Sequence, residues 1–178
     1  MSRYPVDHVD VASGYGYRQD PRGGLLPQGH WGLDLVDQAG APVRAPEPMT
    51  VTAVWTDDKT PPYVGYGPGG IEGQGSSGLF HLLGHMDPAH LEVSVGDRVQ
   101  EGEQVGAVSA LGHVHWEVRR VAVDNPDTRA GDTLDPVEWL KTGAQNVLEV
   151  HPPQRKPWPW WTWLALVWIV ARSNHSGR

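Results

Sequence analysis

The chain has 178 residues, enough for one domain with a buried core and an additional segment. It contains no cysteine, which excludes disulfide scaffolds, thiol nucleophiles and cysteine-ligated metal sites. The formal net charge is −7, and an acidic protein is a poor partner for nucleic acid, whose phosphates require a basic surface.

Short apolar runs alternate with turn-forming clusters over the first 140 residues, and this alternation is typical of an all-β domain. We expect mainly antiparallel β structure with few short helices over residues 1–145. Five runs rich in valine, leucine, aromatic or threonine residues predict strands: Leu33–Val36, Thr50–Trp55, Gly78–Leu83, Gln104–Val108 and Val114–Val121. Residues 57–77 are dense in glycine and proline and predict a large surface loop.

Two further segments predict local structure. The segment Val95–Gly106 repeats valine and glycine at turn spacing, which predicts a β-hairpin corner with positive φ angles. The segment Asp135–Leu140 predicts one short helix, with Asp135 as the cap and Pro136 at the first helical position.

The composition changes near the C-terminus, where residues 146–157 predict a linker and residues 158–178 a tryptophan-rich apolar tail. Residues 158–171 hold five of the nine tryptophans. As a helix, residues 157–171 would reach roughly 22 Å, less than the ~30 Å core of a bilayer. Three interpretations stay open: a helical membrane-interface anchor beside Arg155 and Lys156, a plug in a protein assembly, and a helix folded onto its own domain.

Histidines provide the candidate chemistry. Asp34 follows His30 by four residues, and the sequence His113-Val114-His115-Trp116-Glu117 forms a second group. On a strand, His113, His115 and Glu117 would share one face while Val114 and Trp116 take the other. Either motif alone occurs often by chance, but both lie in predicted strands flanked by glycine and aromatic residues.

A catalytic zinc ion requires such residues, because it takes three protein ligands from His and Asp or Glu and keeps a fourth position open. Further histidines nearby can take a proton or stabilise a tetrahedral intermediate. Nucleotide binding is disfavoured, although Gly65–Gly70 matches G-x-G-x-x-G, because Pro68 interrupts the amides and no strand–helix context surrounds it. The segment Gly75–Gly78 lacks the nucleophile elbow of serine hydrolases.

The ordered set of motifs resembles the lysostaphin-type (gamma-type DD-endopeptidase) zinc metallopeptidases from about Val11 to Leu140. The resemblance is carried by these segments: Ser13–Arg18, His30–Asp34, Val43–Pro46, Leu82–Met86, Val95–Gly106 and His113–Val118. It implies an antiparallel β fold with an open groove over the metal. It also implies Zn2+ ligands at His30, Asp34 and His115, and catalytic roles for His85 and His113 as general base and transition-state stabiliser.

Two departures from the family pattern concern the groove and leave the ligands in place. The turn before His113 is compressed to Ser109–Gly112, and Glu47–Thr50 replaces a common glycine-containing turn. We expect either departure to reshape the groove without removing the metal.

The remaining candidates have simpler roles. We expect His81 at the rim of the groove or exposed to solvent. Glu117 either orients His113 or His115 or forms a surface salt bridge. Trp31 and Trp116 are expected in the core or in the groove wall.

The resemblance implies a zinc endopeptidase that acts on peptidoglycan peptides. Residues 1–19 lack the pattern of a secretory signal peptide. We therefore expect a phage-associated enzyme (tail or lysis), carried by the virion, that acts in the periplasm or cell wall. Phage tail proteins or the membrane would be partners of the C-terminal tail. The alternatives are a non-catalytic structural or wall-binding tail component with the same fold and a phosphocarrier that uses paired histidines.

Overall fold

The computed structural model describes residues 2–19, 25–59, 61–123 and 132–142. This part of the chain is mostly antiparallel β structure with a 3-10 helix at Pro88–His90 and one α-helix, α1, at Pro136–Thr142. The strands are β1 Asp10–Ser13, β2 Gly16–Gln19, β3 Leu25–His30, β4 Leu33–Val36, β5 Pro42–Arg44, β6 Met49–Trp55, β7 Gly70–Gly75, β8 Phe80–Gly84, β9 Arg98–Val99, β10 Gln104–Ala107, β11 His113–Arg119 and β12 Thr133–Leu134. The predicted fold class is confirmed.

The main sheet has the strand order β1-β4-β11-β8-β7-β6-β9, with β12 paired to the end of β11. Strand β11 lies between β4 and β8, so its residues are held from both sides. The register pairs His115 with Asp34 on β4 and with Gly84 on β8. Two small sheets, β2 with β3 and β5 with β10, flank the main sheet.

One face of the sheet packs on the main hydrophobic core. Val114, Trp116 and Val118 alternate along β11 and are fully buried there. Helix α1 closes this core, with the ring of Trp139 edge-on to that of Trp116 at a centroid distance of 5.8 Å. The structure agrees with the predicted alternation: His113, His115 and Glu117 lie on the opposite face of β11 from Val114 and Trp116.

The predicted helix and its cap are confirmed. The backbone N–H of Val137 donates to the Oδ1 atom of Asp135 at 2.8 Å, and Pro136 is the first helical residue. The carboxylate therefore satisfies one of the amides that a helix N-terminus leaves without a partner.

The opposite face carries a smaller apolar cluster and the candidate site. Residues 61–69 lie on this face, where Tyr63 stacks parallel to Trp55 at 4.3 Å. These two rings pack with Leu82 and Val123.

Two element predictions are wrong. The predicted loop at 57–77 contains β7, an interior strand of the main sheet. Its glycines reflect close packing, since a Cβ at Gly73 would lie 2.8 Å from the sulfur of Met49. The predicted hairpin at Val95–Gly106 has positive φ at Gly96 and Gly102, but β9 pairs with β6 and β10 with β5. The other predicted strands agree with observed strands within about two residues at each end.

No helix among these described ranges is long and apolar enough to cross a membrane. The predicted linker at 146–157 and the tail at 158–178 lie outside the described residues.

Candidate metal centre

Three predicted ligands converge at the junction of β3, β4 and β11. The Oδ1 atom of Asp34 lies 3.1 Å from the Nε2 atom of His30 and 2.8 Å from the Nδ1 atom of His115. The two ring nitrogens are 3.1 Å apart. The ligands of one tetrahedral zinc ion lie about 3.3 Å from each other, so the spacing suits a single ion.

The outer nitrogen of each ligand ring has a partner that can only accept a hydrogen bond. The Nδ1–H of His30 donates to the Gly14 carbonyl at 2.8 Å, and the Nε2–H of His115 donates to the Glu117 carboxylate at 3.0 Å. In a neutral imidazole the other nitrogen then carries a lone pair. Both lone pairs point at Asp34, as metal ligation requires.

This donor set fits a divalent cation. Two lone pairs and a carboxylate oxygen about 3 Å apart repel each other unless a positive charge lies among them. Without a metal, a proton takes that place: burial lowers the pKa of His115, but hydrogen bonds to Asp34 and Glu117 outweigh it and raise the pKa to about 9. A metal ion that binds here displaces this proton.

The charge of Asp34 is maintained by the same contacts. Burial raises the pKa of Asp34, but the hydrogen bonds from His115 and His30 outweigh burial and hold the pKa well below its ordinary value. The carboxylate is therefore ionised at neutral pH and available as a ligand.

Glu117 has the first of its two predicted roles, since it orients His115 from a buried position. Its second oxygen accepts from the guanidinium of Arg119, which is almost fully buried two residues further along β11. Burial raises the pKa of Glu117, but the contacts with His115 and Arg119 lower it overall. Arg119 was missed from the sequence, although its i+2 spacing places it on the same strand face.

The two predicted catalytic histidines lie beside this group. The ring of His85 is 4.6 Å from that of His113 and 6.0 Å from that of His115. Burial, and then the neighbouring His113 and His115, lowers the pKa of His85 to about 4, so its ring is neutral at physiological pH. The Nδ1–H of His113 donates to the Leu111 carbonyl at 3.1 Å.

The structure corrects the expectation for His81, which is fully buried on the core face rather than at the rim. Its Nε2–H donates to Glu47 at 2.7 Å, and its Nδ1 accepts from the indole N–H of Trp116 at 3.2 Å. Because both ring nitrogens are satisfied, burial carries no hydrogen-bond penalty.

An open groove leads to the ligands, and its walls are aromatic. Trp31 and Tyr66 both line it. Trp116 lies in the core. Of the two predicted locations, Trp116 therefore occupies the core and Trp31 the groove wall. Tyr66 is not predicted from the sequence, because it lies in a glycine-rich segment far from the histidine motifs. Burial and the nearby Glu117 raise the pKa of its hydroxyl to about 12.

The chain is similar to known peptidases. It is 30% identical over 137 residues to the glycyl-glycine endopeptidase ALE-1 of Staphylococcus capitis, covering 74% of this chain and 34% of the relative. The chain thus spans about a third of the length of the curated relative it matches.

Solved structures share the fold. The catalytic domain of lysostaphin from Staphylococcus simulans superposes with a TM-score of 0.56 at 22% identity, covering 75% of this chain and 92% of that domain. The catalytic domain of the prophage-encoded M23 protein EnpA of Enterococcus faecalis, in a mutant form, gives 0.57 at 25% identity, with 74% of this chain and 91% of that domain covered. A zinc-containing peptidase of Vibrio cholerae gives 0.55 at 25%, with 72% and 40% covered.

The sequence profile of peptidase family M23 matches residues 28–136, which include the five predicted site residues, four histidines and one aspartate. This match covers more than half of the chain. Because M23 peptidases are zinc-dependent, it also agrees with the donor set described above. The chain belongs to peptidase family M23.

Proposed function

We propose that the chain is a zinc-dependent endopeptidase that hydrolyses peptide bonds in the cross-links of bacterial peptidoglycan. The observation that carries the proposal is the convergence of three metal-ligand atoms and His85 in one open groove, with the ring of His113 beside that of His85. The name of the staphylococcal relative, a glycyl-glycine endopeptidase, supports a peptide substrate of this class.

His30, Asp34 and His115 would hold the zinc ion. When bound, zinc supplies Lewis acidity, which polarises a carbonyl group and makes water easier to deprotonate. The two neutral rings and one carboxylate leave a net positive charge at the site, which favours the negative charge that develops on the carbonyl oxygen.

His113 is suited to accept a proton. Its Nδ1–H is held by the Leu111 carbonyl, so the lone pair of the neutral ring is at Nε2. A ring fixed in this tautomer can take the proton from the attacking water as a general base and return it to the leaving amine.

His85 is suited to donate a hydrogen bond. Its Nδ1 atom is buried without a hydrogen-bond partner, and buried N–H groups without an acceptor are rarer than unused acceptors. The proton of the neutral ring is then at Nε2, from which it can stabilise the developing oxyanion. Burial and the neighbouring histidines lower the pKa of His85, which favours the neutral ring that this role requires.

The test is the removal of one ligand. The substitution His115→Ala is expected to abolish zinc binding and the release of peptides from purified peptidoglycan, since it deletes the ring that two carboxylates orient. His85→Ala and His113→Ala should keep one zinc per chain and lose most, but not all, of their turnover. His90→Ala, at an exposed histidine on the 3-10 helix, is the matched control. Undiminished peptide release by His115→Ala would refute the proposal.

Mass spectrometry of the digested peptidoglycan identifies the bond and separates the alternatives. A wall-binding module without activity would release no new peptide ends. A phosphocarrier would instead become phosphorylated on one of its paired histidines when it is incubated with a phosphodonor. Walls with glycine bridges and walls with direct cross-links should be digested side by side.

We further propose that the enzyme is phage-associated and acts on the cell wall from the virion or during lysis. The similarity to a prophage-encoded peptidase supports this, as does the tryptophan-rich segment at 158–171, which suits attachment to a tail protein or a membrane interface. Detection of the chain in purified phage particles would support the virion route, and its presence only in uninfected cells would end the proposal.

A further inference from the structure

We infer that residues 63–69, here called the Tyr66 loop, position His85 in the groove, and that Gly67 is the positioning residue on which this depends. The inference rests on the proposed function, because it concerns the histidine that would stabilise the oxyanion. It assigns a role to a segment that carries no metal ligand.

His85 has an unfavourable backbone conformation. Its φ of +60° is the one positive φ at a non-glycine residue among the described ranges. Such conformations persist only where surrounding contacts impose them, and they concentrate at functional sites. The left-handed turn interrupts strand alternation directly after β8, and His85 is on the groove side while His81 is in the core.

The Tyr66 loop supplies contacts that hold this turn. The backbone N–H of His85 donates to the Tyr66 carbonyl at 2.8 Å, and that of Met86 donates to the Gly69 carbonyl at 2.9 Å. On the other side, the N–H of Ser109 donates to the His85 carbonyl at 3.2 Å. The turn is therefore bonded on both sides, twice by the loop.

Gly67 lies against the His85 ring itself. A Cβ atom at Gly67 would overlap the Nδ1 atom of His85 and lie 2.9 Å from its Cα atom. Any side chain there must displace either the loop or the histidine. The φ of Gly67 is +84°, so the backbone too favours glycine at this position.

The loop has its own anchor. Tyr63 stacks on Trp55 at the end of β6, and the N–H of Tyr66 donates to the Tyr63 carbonyl at 3.1 Å. The stacked rings connect the loop to the main sheet, so that the position of His85 relative to the ligands depends on both elements.

The experiment is Gly67→Ala in the zinc-loaded full chain. We expect one zinc per chain, a KM close to that of the wild type and a kcat about 100-fold lower, the usual effect of a misplacement of about 1 Å. Gly40→Ala is the matched control, because Gly40 has the same kind of φ, +85°, with nothing within 4 Å of the added Cβ. Its kcat should equal that of the wild type.

A double-mutant cycle tests whether Gly67 acts through His85. In the His85→Ala background, Gly67→Ala should cause no further loss of kcat. A wild-type kcat for Gly67→Ala, an equal loss in both backgrounds, or loss of zinc would each overturn the inference. If Gly67→Ala does not fold, Tyr63→Leu, which removes the stacked anchor, should lower kcat in the same direction.

A spectroscopic measurement separates this inference from the proposed function. The measurement is NMR of the imidazole nitrogens in the zinc-loaded chain, in which the His85 resonance is assigned by its loss in His85→Ala. We expect this resonance to shift in Gly67→Ala and to stay unchanged in Gly40→Ala. An unmoved His85 resonance would overturn the inference whether or not the chain cuts peptidoglycan. A wild-type chain that cuts nothing would refute the proposed function alone.

Discussion

At the scale of single residues, the site depends on which ring nitrogen carries a proton. The Gly14 carbonyl and the Glu117 carboxylate hold the outer N–H groups of His30 and His115, so the inner ring nitrogens, Nε2 of His30 and Nδ1 of His115, face the Asp34 carboxylate before any metal arrives. Gly32 contributes by its lack of a side chain, since a Cβ there would lie 2.7 Å from the His115 ring. The ligands are thus preorganised by contacts that are not themselves ligands.

The substitution Glu117→Gln tests the role of Glu117 in orienting His115. The substitution keeps the shape of the side chain but removes the charge that raises the basicity of His115, so zinc affinity should fall about 10- to 100-fold. Competition with a chromophoric zinc chelator at neutral pH measures it. Glu138→Gln, at an exposed glutamate on α1, is the control and should bind zinc as the wild type does. Wild-type affinity in Glu117→Gln would contradict the role given to Glu117.

At the scale of elements, β11 connects the site to the core. Its odd-numbered residues His115, Glu117 and Arg119 form a line of buried polar contacts on the groove side. Between them, Trp116 reaches the core and donates to His81, which in turn donates to Glu47. Glu47 also accepts from the hydroxyls of Ser76 and Ser77, so it joins the β7–β8 turn to β8.

The Glu47 contacts predict a pH-dependent stability. Burial raises the pKa of Glu47, but hydrogen bonds from His81 and Ser77 outweigh it, and the pKa in the folded chain is below the ordinary 4.5. Because the folded-state pKa is lowered, the ionised Glu47 stabilises the fold above about pH 4.5. This stabilisation is lost as the pH falls through the folded-state pKa.

We therefore expect Glu47→Gln to lower the free energy of unfolding by about 1–3 kcal/mol at neutral pH. The difference from the wild type should shrink as the pH falls below about 4.5. Urea unfolding of the metal-free proteins at several pH values measures this, because zinc would otherwise dissociate in acid and confuse the comparison. A difference that does not change with pH would show that the charge of Glu47 has no part in stability.

At the scale of the whole molecule, the sequence identifies features that depend on local periodicity. Strand alternation places His115 and Glu117 opposite Trp116, and Asp135 before Pro136 marks the start of α1. Strand β7 is not predicted, because glycine is also frequent in loops. The side chains of Trp55, Met49 and Glu47, which pack against the three glycines of β7, show why glycine is needed there.

Long-range contacts could not be predicted from the sequence, for a different reason. His81 and His85 are four residues apart, and regular alternation puts them on one face of a strand. The left-handed backbone at His85 reverses this, and it is imposed by the Tyr66 loop, which is about 20 residues away in sequence. Likewise, no local pattern pairs His81 with Glu47 across 34 positions.

Every role proposed for the groove requires that His30, Asp34 and His115 together bind one zinc ion. An anomalous difference map from crystals of the zinc-loaded chain, recorded on either side of the zinc absorption edge, tests it most directly. We expect one strong peak within bonding distance of His30 Nε2, Asp34 Oδ1 and His115 Nδ1. A peak held instead by His85 and His113, or no peak in the groove of a chain that retains zinc, would contradict it.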